Sequence, residues 1–370
     1  MTVAVSGDSI TFPDNSVQNT AATGFGFKNR LINGAMVIDQ RNAGAAVTLN
    51  SSALIYTADR WAFGWVGSAA VGSAVCASGQ LPFSRSAEIL TITTAATPSS
   101  GQTYNFQQRI EGFNVADLLW GTASAAPITL SFKVQSSLTG TFSGALQNAA
   151  QNRSYPFTYT IAAANTATYI TVTIAGDTTG TWATDNTTGI GVVFDLGGAG
   201  VTRGTAGAWA AAGYYGATGS VNVVATLSAT WQISEVQLEK GSTATSFDYR
   251  PYGTELALCQ RYAPVYTGLG IRIVAQAFST NASLPTVYFP VATRVPPTGV
   301  TISSVSHFSG WNAATSSTGA PTAIAFNTAS SFTGTLEVSG FANNNLVAGN
   351  MSALVFGNAA AQVIFTGCEL

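Results

Sequence analysis

Charge is scarce in this chain. Only 8% of its 370 residues are Asp, Glu, Lys or Arg, against roughly a quarter in an ordinary soluble domain. The net charge is −2 and no basic cluster occurs, so electrostatic recognition of nucleic acid has no footprint. There is one histidine, His307, and the three cysteines, Cys76, Cys259 and Cys368, are far apart with no CxxC pair. That excludes a zinc site of the ordinary Cys/His kind and leaves the thiols as buried or incidental groups. No metal or other cofactor is expected. No apolar run reaches the eighteen residues of a membrane span, so no membrane insertion is expected. The opening "MTVAVSGDSITFPDN" has neither a basic n-region nor a long apolar h-region, and reads as no secretory signal.

What is present is hydrophobic and small. Hydrophobic residues make up 46% of the chain, enough for real cores, and Gly, Ala, Ser and Thr fill most of the rest. This composition favours strands joined by tight turns over charged amphipathic helices. A neutral exterior at this size implies an oligomer, or a monomer solubilised by hydroxyls and amides; the oligomer is the expectation. The length suits two domains.

The fold class read from the pattern is all-β, in four pieces. Residues 1–28 form an extended N-terminal segment. It has strands at Ser9–Phe12 and Val17–Thr20 around a Pro13-Asp14-Asn15 turn, too small to bury a core alone. Residues 29–253 read as a large jelly-roll β-sandwich. In "ITLSFKVQS", Ile128, Leu130, Phe132 and Val134 share one face; "YPFTYTI", "YITVTI" and "GIGVVFDLG" alternate likewise. Trp61, Phe63 and Trp65 alternate on a core face. In "TWQISEVQLEKG", Trp231 and Ile233 are out of phase with Val236 and Leu238. One extra residue near Ser234-Glu235 restores the phase, which predicts a β-bulge. Residues 254–262, "TELALCQRY", predict a short linking helix capped by Thr254. Residues 263–370 hold seven short strand patterns, from "IRIVAQAF" to "QVIFTGCEL", and read as a C-terminal β-sandwich.

Candidate chemistry is sparse. "VAVSGDSI" presents Ser9 as in a GDS-type hydrolase, but the only base is His307, and Ser304 stands where a supporting Asp is wanted. A Gly-Asp turn leading into a strand fits these residues better. Sixteen acidic residues leave possibilities for a carboxylate pair in glycoside hydrolysis, such as Glu235 with Glu239 or Asp195. Simple strand rise puts Glu235 and Glu239 about 13 Å apart, and nothing compels the pairing. No catalytic residue is assigned and no enzyme is expected. The aromatics suggest binding instead. Trp209, Tyr214 and Tyr215 sit in the charge-free "AGAWAAAGYYGATGS", and Trp311 in "HFSGWNAATSSTGAP". On loops these rings could stack on sugars or pack against a neighbouring subunit. One stretch, "SFDYRPYGTELALCQRYAP", gathers Asp248, Arg250, Glu255 and Arg261. It reads as a joint between domains, with Asp248 pairing Arg250 and Glu255 pairing Arg261.

Several of these segments resemble bacteriophage tail-fibre and other virion appendage proteins. "ITFPDNSVQNTAA" is similar to the I-x-F-P-D-G-(S/T)-x-Q-x-T-A segment of such fibres, with Asn15 where Gly is usual. "NRLINGAMVIDQRNAG", "ADRW", "FQQRIEG" and the long "WQISEVQLEKGSTATSFDYRPYGTELALCQRY" are similar to a domain recurrent in phage structural proteins. The spacing of "NGAM" and "VQLEKG" also resembles carbohydrate-binding-module jelly rolls. The resemblance implies a homotrimeric virion structural protein, a tail fibre or spike, assembled in the host cytoplasm and exposed on the particle surface. It implies attachment to a host-surface glycan or receptor by non-covalent, multivalent contact, with the N-terminal segment joining other virion proteins. A purely architectural role (head fibre, collar or baseplate piece) and a glycan depolymerase are the alternatives.

Overall fold

A computed structural model describes residues 28–370 apart from 51–53, 68, 80, 82–83, 313–317 and 342–345; of residues 1–27 it describes the backbone of three short strands. Those strands, Ala4–Ser6, Ser9–Thr11 and Val17–Gln18, form a small antiparallel sheet. The expected turn at Pro13-Asp14-Asn15 and the Ser9 side chain lie outside the described residues.

The chain is all-β. Two six-stranded antiparallel sheets build the first sandwich. One runs Thr168–Ile174, Ile128–Ser136, Thr230–Lys240, Ser86–Thr94, Val71–Ser78 and Val47–Leu49. The other runs Ser154–Ile161, Gly140–Gln147, Thr188–Gly198, Thr103–Glu111, Ala62–Val66 and Leu54–Tyr56. Successive strands cross repeatedly between the sheets, as in a jelly roll. The core lies between them, because each strand sends alternate side chains inward. Trp61, Phe63, Trp65, Phe106, Phe132, Phe194 and Trp231 are all fully buried, and Trp61 stacks on Phe106 at 4.9 Å. The C-terminal sandwich packs a three-stranded sheet (Val265–Thr267, Gln362–Thr366, Gly299–Ile302) against a six-stranded one. Val363 and Phe365 from the first meet Leu336, Val338, Leu354 and Phe356 from the second in one core. Two strands here, Val265–Thr267 and Phe308–Asn312, carry Ser, Gly or too few residues to show an alternating pattern in sequence.

The out-of-phase strand is bulged where the sequence predicts. Ser131 pairs with Gln237 and Lys133 with Ser234, so Glu235 and Val236 together oppose Phe132. Glu235 takes a left-handed φ of 50°. Both halves of the strand therefore face the core, with Trp231, Ile233, Val236 and Leu238 all at 0% exposure.

The one α-helix among the described residues runs Tyr252–Gln260, two residues ahead of 254–262. Pro251, not Thr254, precedes its first turn, since the ring presets φ (−55° here) for helix entry. No helix of the described residues is long and apolar enough to cross a membrane. The three thiols are free and buried.

Buried arginines weld the helix and the C-terminal sandwich to the first sandwich. Glu369 receives Arg41 at 2.6 Å and also Arg60. The Arg60 guanidinium lies 3.6 Å over the Tyr262 ring, a cation–π contact in a dry site. Glu111 takes Arg261 at 2.6 Å and the Tyr262 hydroxyl at 2.7 Å. Glu255 therefore does not pair with Arg261: the helix turns Arg261 towards Glu111 and Glu255 back towards Arg250.

One carboxyl sits on the core face itself. Glu88 lies in phase with Leu90 and Ile92, is fully buried, and accepts the Ala58 amide. Burial pushes its pKa up to about 8. The unfolded carboxyl loses its proton near 4.5, so between these values the unfolded chain binds fewer protons. Stability then falls as pH rises through that window and levels off above it. Glu88→Gln should remove this loss. Melting temperatures of both proteins at pH 5 and pH 9 test it, and an equal decline in the two would refute it.

Candidate functional site

Two places in the first sandwich concentrate aromatic and polar side chains that are partly open to solvent. The first is an aromatic cluster where three connecting segments meet. Trp120 follows a short 3-10 turn, Trp182 lies between the strands Thr168–Ile174 and Thr188–Gly198, and Trp209 sits in the glycine-rich segment. Their rings contact one another edge-to-face, with centroids 4.8 Å (Trp120–Trp182), 5.2 Å (Trp120–Trp209) and 5.4 Å (Trp182–Trp209) apart. Tyr155 closes on Trp209 at 5.3 Å. This geometry suits ring quadrupoles. Each indole N–H donates to a backbone carbonyl: Trp120 to Ala126 (2.8 Å), Trp182 to Thr179 (3.2 Å) and Trp209 to Ala175 (2.8 Å). Trp120 is buried, while Trp182 and Trp209 are half-buried. Their polar N–H groups are therefore already satisfied. Arg153 and Asp177 brace the segment beside them through contacts of 2.9 and 2.6 Å.

Of the residues singled out in sequence, Trp209 belongs to this cluster. Tyr214 packs against Gly204, where a Cβ would come within 2.3 Å of its ring, and Tyr215 reaches the Gln151 side chain at 3.4 Å. Trp311 lies in the other sandwich, on the edge strand Phe308–Asn312, half-buried with Arg272 5.9 Å over its ring. Trp120 and Trp182 were missed in sequence because each stands alone in its segment; only folding unites them. His307 bonds Ser303 at 2.9 Å. The acids considered for hydrolysis occupy three separate networks. Glu235 accepts Ser84, Lys133 and Tyr249; Glu239 accepts Gln237 and Thr245; Asp195 accepts Arg203 and Ser143.

The second place is a cleft of about 400 Å³ walled by residues 34–44 and 247–255, with Cys76, Ser78 and Ser86 at its base. The bulge creates it. Freed from the ladder, the Val236 amide donates to the Gly34 carbonyl at 2.9 Å, and the Val236 carbonyl accepts Asn29 Nδ2 at 2.9 Å. Asn29 Oδ1 in turn accepts the Leu31 and Leu238 amides. The opposite wall is tied to the same segment. Asp248 accepts the Lys28 and Asn29 amides through Oδ2, rather than pairing with Arg250. Arg250 donates to the Asn29 and Leu31 carbonyls and to Glu255, which accepts the Asn33 amide. Tyr249 donates to Glu235 at 2.7 Å and packs edge-to-face on Phe247 at 4.7 Å. Burial, reinforced by the Glu235 carboxylate, pushes its phenol up to about 12. Charges were legible in sequence as a joint; the concavity beside them was not.

A Cβ on Gly34 would sit 2.1 Å from the Val236 carbonyl oxygen. Gly34→Ala is therefore expected to destabilise the fold by about 1–3 kcal/mol, read as a lower denaturation midpoint; an unchanged midpoint contradicts the close approach.

No family model and no curated protein matches the chain. Among solved structures, the chain is similar to a CBM4 carbohydrate-binding module (14% identity, 56% of this chain and 98% of that one, TM-score 0.29). It is also similar to a putative sugar-binding protein from Bacteroides thetaiotaomicron (12% identity, 58% and 100%, TM-score 0.32). A third similarity is to the enzymatically active domain of tailspike protein 4 from bacteriophage CBA120 (11% identity, 58% and 21%, TM-score 0.27).

Proposed function

We propose that this chain is a virion appendage protein of the bacteriophage tail-fibre or spike kind, which attaches to host-surface glycan without cleaving it. The observation that supports this is the Trp120–Trp182–Trp209 cluster, in which half-buried Trp182 and Trp209 pack on buried Trp120 and every indole N–H is bonded to a backbone carbonyl. A pyranose offers a flat C–H face, and an indole whose polar handle is already bonded offers a matching apolar one. Trp209 and Trp182 are the proposed stacking residues, with Tyr214 and Tyr215 of the same glycine-rich segment as further candidates and Trp311 as a separate contact on the C-terminal sandwich. The separate networks of Asp195, Glu235 and Glu239 favour binding over cleavage.

Single stacking contacts are weak, so attachment of this kind draws on repeated copies. A homotrimer on the particle surface, assembled in the host cytoplasm and joined to other virion proteins through residues 1–28, meets that need. The C-terminal sandwich supports self-association. Val274, Phe278 and Met351 are 63%, 49% and 61% exposed and border an open groove of about 770 Å³. Light scattering should return three times the 37.9 kDa chain mass, and Val274→Asp with Met351→Asp should lower it; a wild-type monomer counts against the trimer.

Trp182→Ala and Trp209→Ala should each weaken retention in polysaccharide affinity gels by about tenfold or more, with Trp182→Phe intermediate. Host adsorption and gel retention unchanged in both alanine variants would sink the glycan reading of this cluster.

A further inference from the structure

The cleft beside the bulge has chemistry of its own that the aromatic cluster does not use. We propose that it takes one neutral, hexose-sized sugar residue, at a site distinct from the tryptophans. This rests on the reading of the protein as a glycan binder and adds a second subsite to it.

The fold leaves few polar groups of the cleft unused. Most polar atoms in the walls are engaged: Asp39 caps the Asn42 and Gly44 amides, Glu255 holds Arg250 and the Asn33 amide, and Tyr249 is bonded to Glu235. Three groups lining the cleft stand apart. Arg85 is exposed and has no carboxylate partner among the described residues. Asp248 makes its bonds through Oδ2, which leaves Oδ1 as an acceptor. Tyr252 is 62% exposed, its hydroxyl bonded to nothing among the described residues. One fork of donors, one acceptor and one group that does either match neighbouring sugar hydroxyls, each of which both donates and accepts. Phe247, Tyr249 and Tyr252 supply apolar ring surface on the same wall.

The charges select among ligand classes. Asp39, Asp248 and Glu255 line the cleft and oppose an anion. Arg85 and Arg250 oppose a cation, and no cluster of metal-ligating side chains occurs among the described residues. A neutral ligand that exchanges hydrogen bonds with both signs remains. The volume, about 400 Å³, lies in the range of small-molecule sites and is open enough to admit the end or branch of a chain.

The test titrates the full-length protein with methyl glycosides of glucose, galactose, mannose and N-acetylglucosamine, followed by NMR. At least one should bind, weakly. Arg85→Ala and Tyr252→Ala, both at exposed positions, should each weaken it about tenfold while the melting temperature holds. Trp182→Ala should leave glycoside binding intact while weakening polysaccharide retention. Glycoside binding indifferent to both cleft substitutions overturns the subsite, as does a wild type that binds polysaccharide but no glycoside. Tighter binding of glucuronate than of methyl glucoside overturns the neutral assignment. A silent Trp182→Ala with losses in the cleft variants keeps this subsite and removes the tryptophan one. Failure of every sugar removes both.

Discussion

Strand Thr230–Lys240 holds one residue more than its partner can match, and the fold uses the surplus. A backbone unit released from a ladder must bond elsewhere or lose the energy of a buried amide. Here Val236 turns both its groups to residues 29–34. The same left-handed twist aims Glu235 out of the sheet towards Ser84, Lys133 and Tyr249. The 28–36 and 246–255 segments are thereby laid side by side, and the cleft is the space between them and the sheet. Remove the bulge, and either Trp231 and Ile233 or Val236 and Leu238 would face solvent, because a one-residue slip inverts a strand.

The few charges are placed inside more than outside. Among the described residues, nine of the fourteen basic residues make ion pairs, several with both partners largely buried, such as Arg203–Asp195 and Arg250–Glu255. Pairs of this kind add little net stability but fix which surfaces can meet, since breaking one strands a buried charge. That accounts for a sequence poor in charge whose charged residues nonetheless sit at crossings between segments.

Periodicity made much of this legible. Alternation located Ile128–Ser136, Ser154–Ile161, Thr168–Ile174 and Thr188–Gly198 but not Val71–Ser78, Ser86–Thr94, Thr103–Glu111 or Gly140–Gln147, and a break in alternation located the bulge to within one residue. The helix was legible from its composition, but its start was not, because Pro251 fixes the entry and hides Thr254 within the first turn. Partner choice was also hidden. Asp248 and Arg250 are two residues apart and look paired, yet each is drawn to backbone groups of residues 28–31 some 220 positions away. The tryptophan cluster is the same lesson in aromatic form: Trp120 and Trp182 each stand alone in sequence and join Trp209 only when three segments converge. The strand carrying Trp311 was missed because Ser and Gly dilute its alternation.

The Glu369 contacts with Arg41 and Arg60 bear on how the protein carries mechanical load. The C-terminal sandwich is joined to the first by the chain at Arg261–Pro264 and, in parallel, by these ion pairs and by Arg294 bonded to Asn186, Cys368 and Glu369. Tension on one sandwich is thus shared between a covalent connection and a dry electrostatic one. The ion pairs would have to shear together before the short helix could be drawn out, so the two sandwiches would move under a pull as a single stiff body rather than as beads on a string.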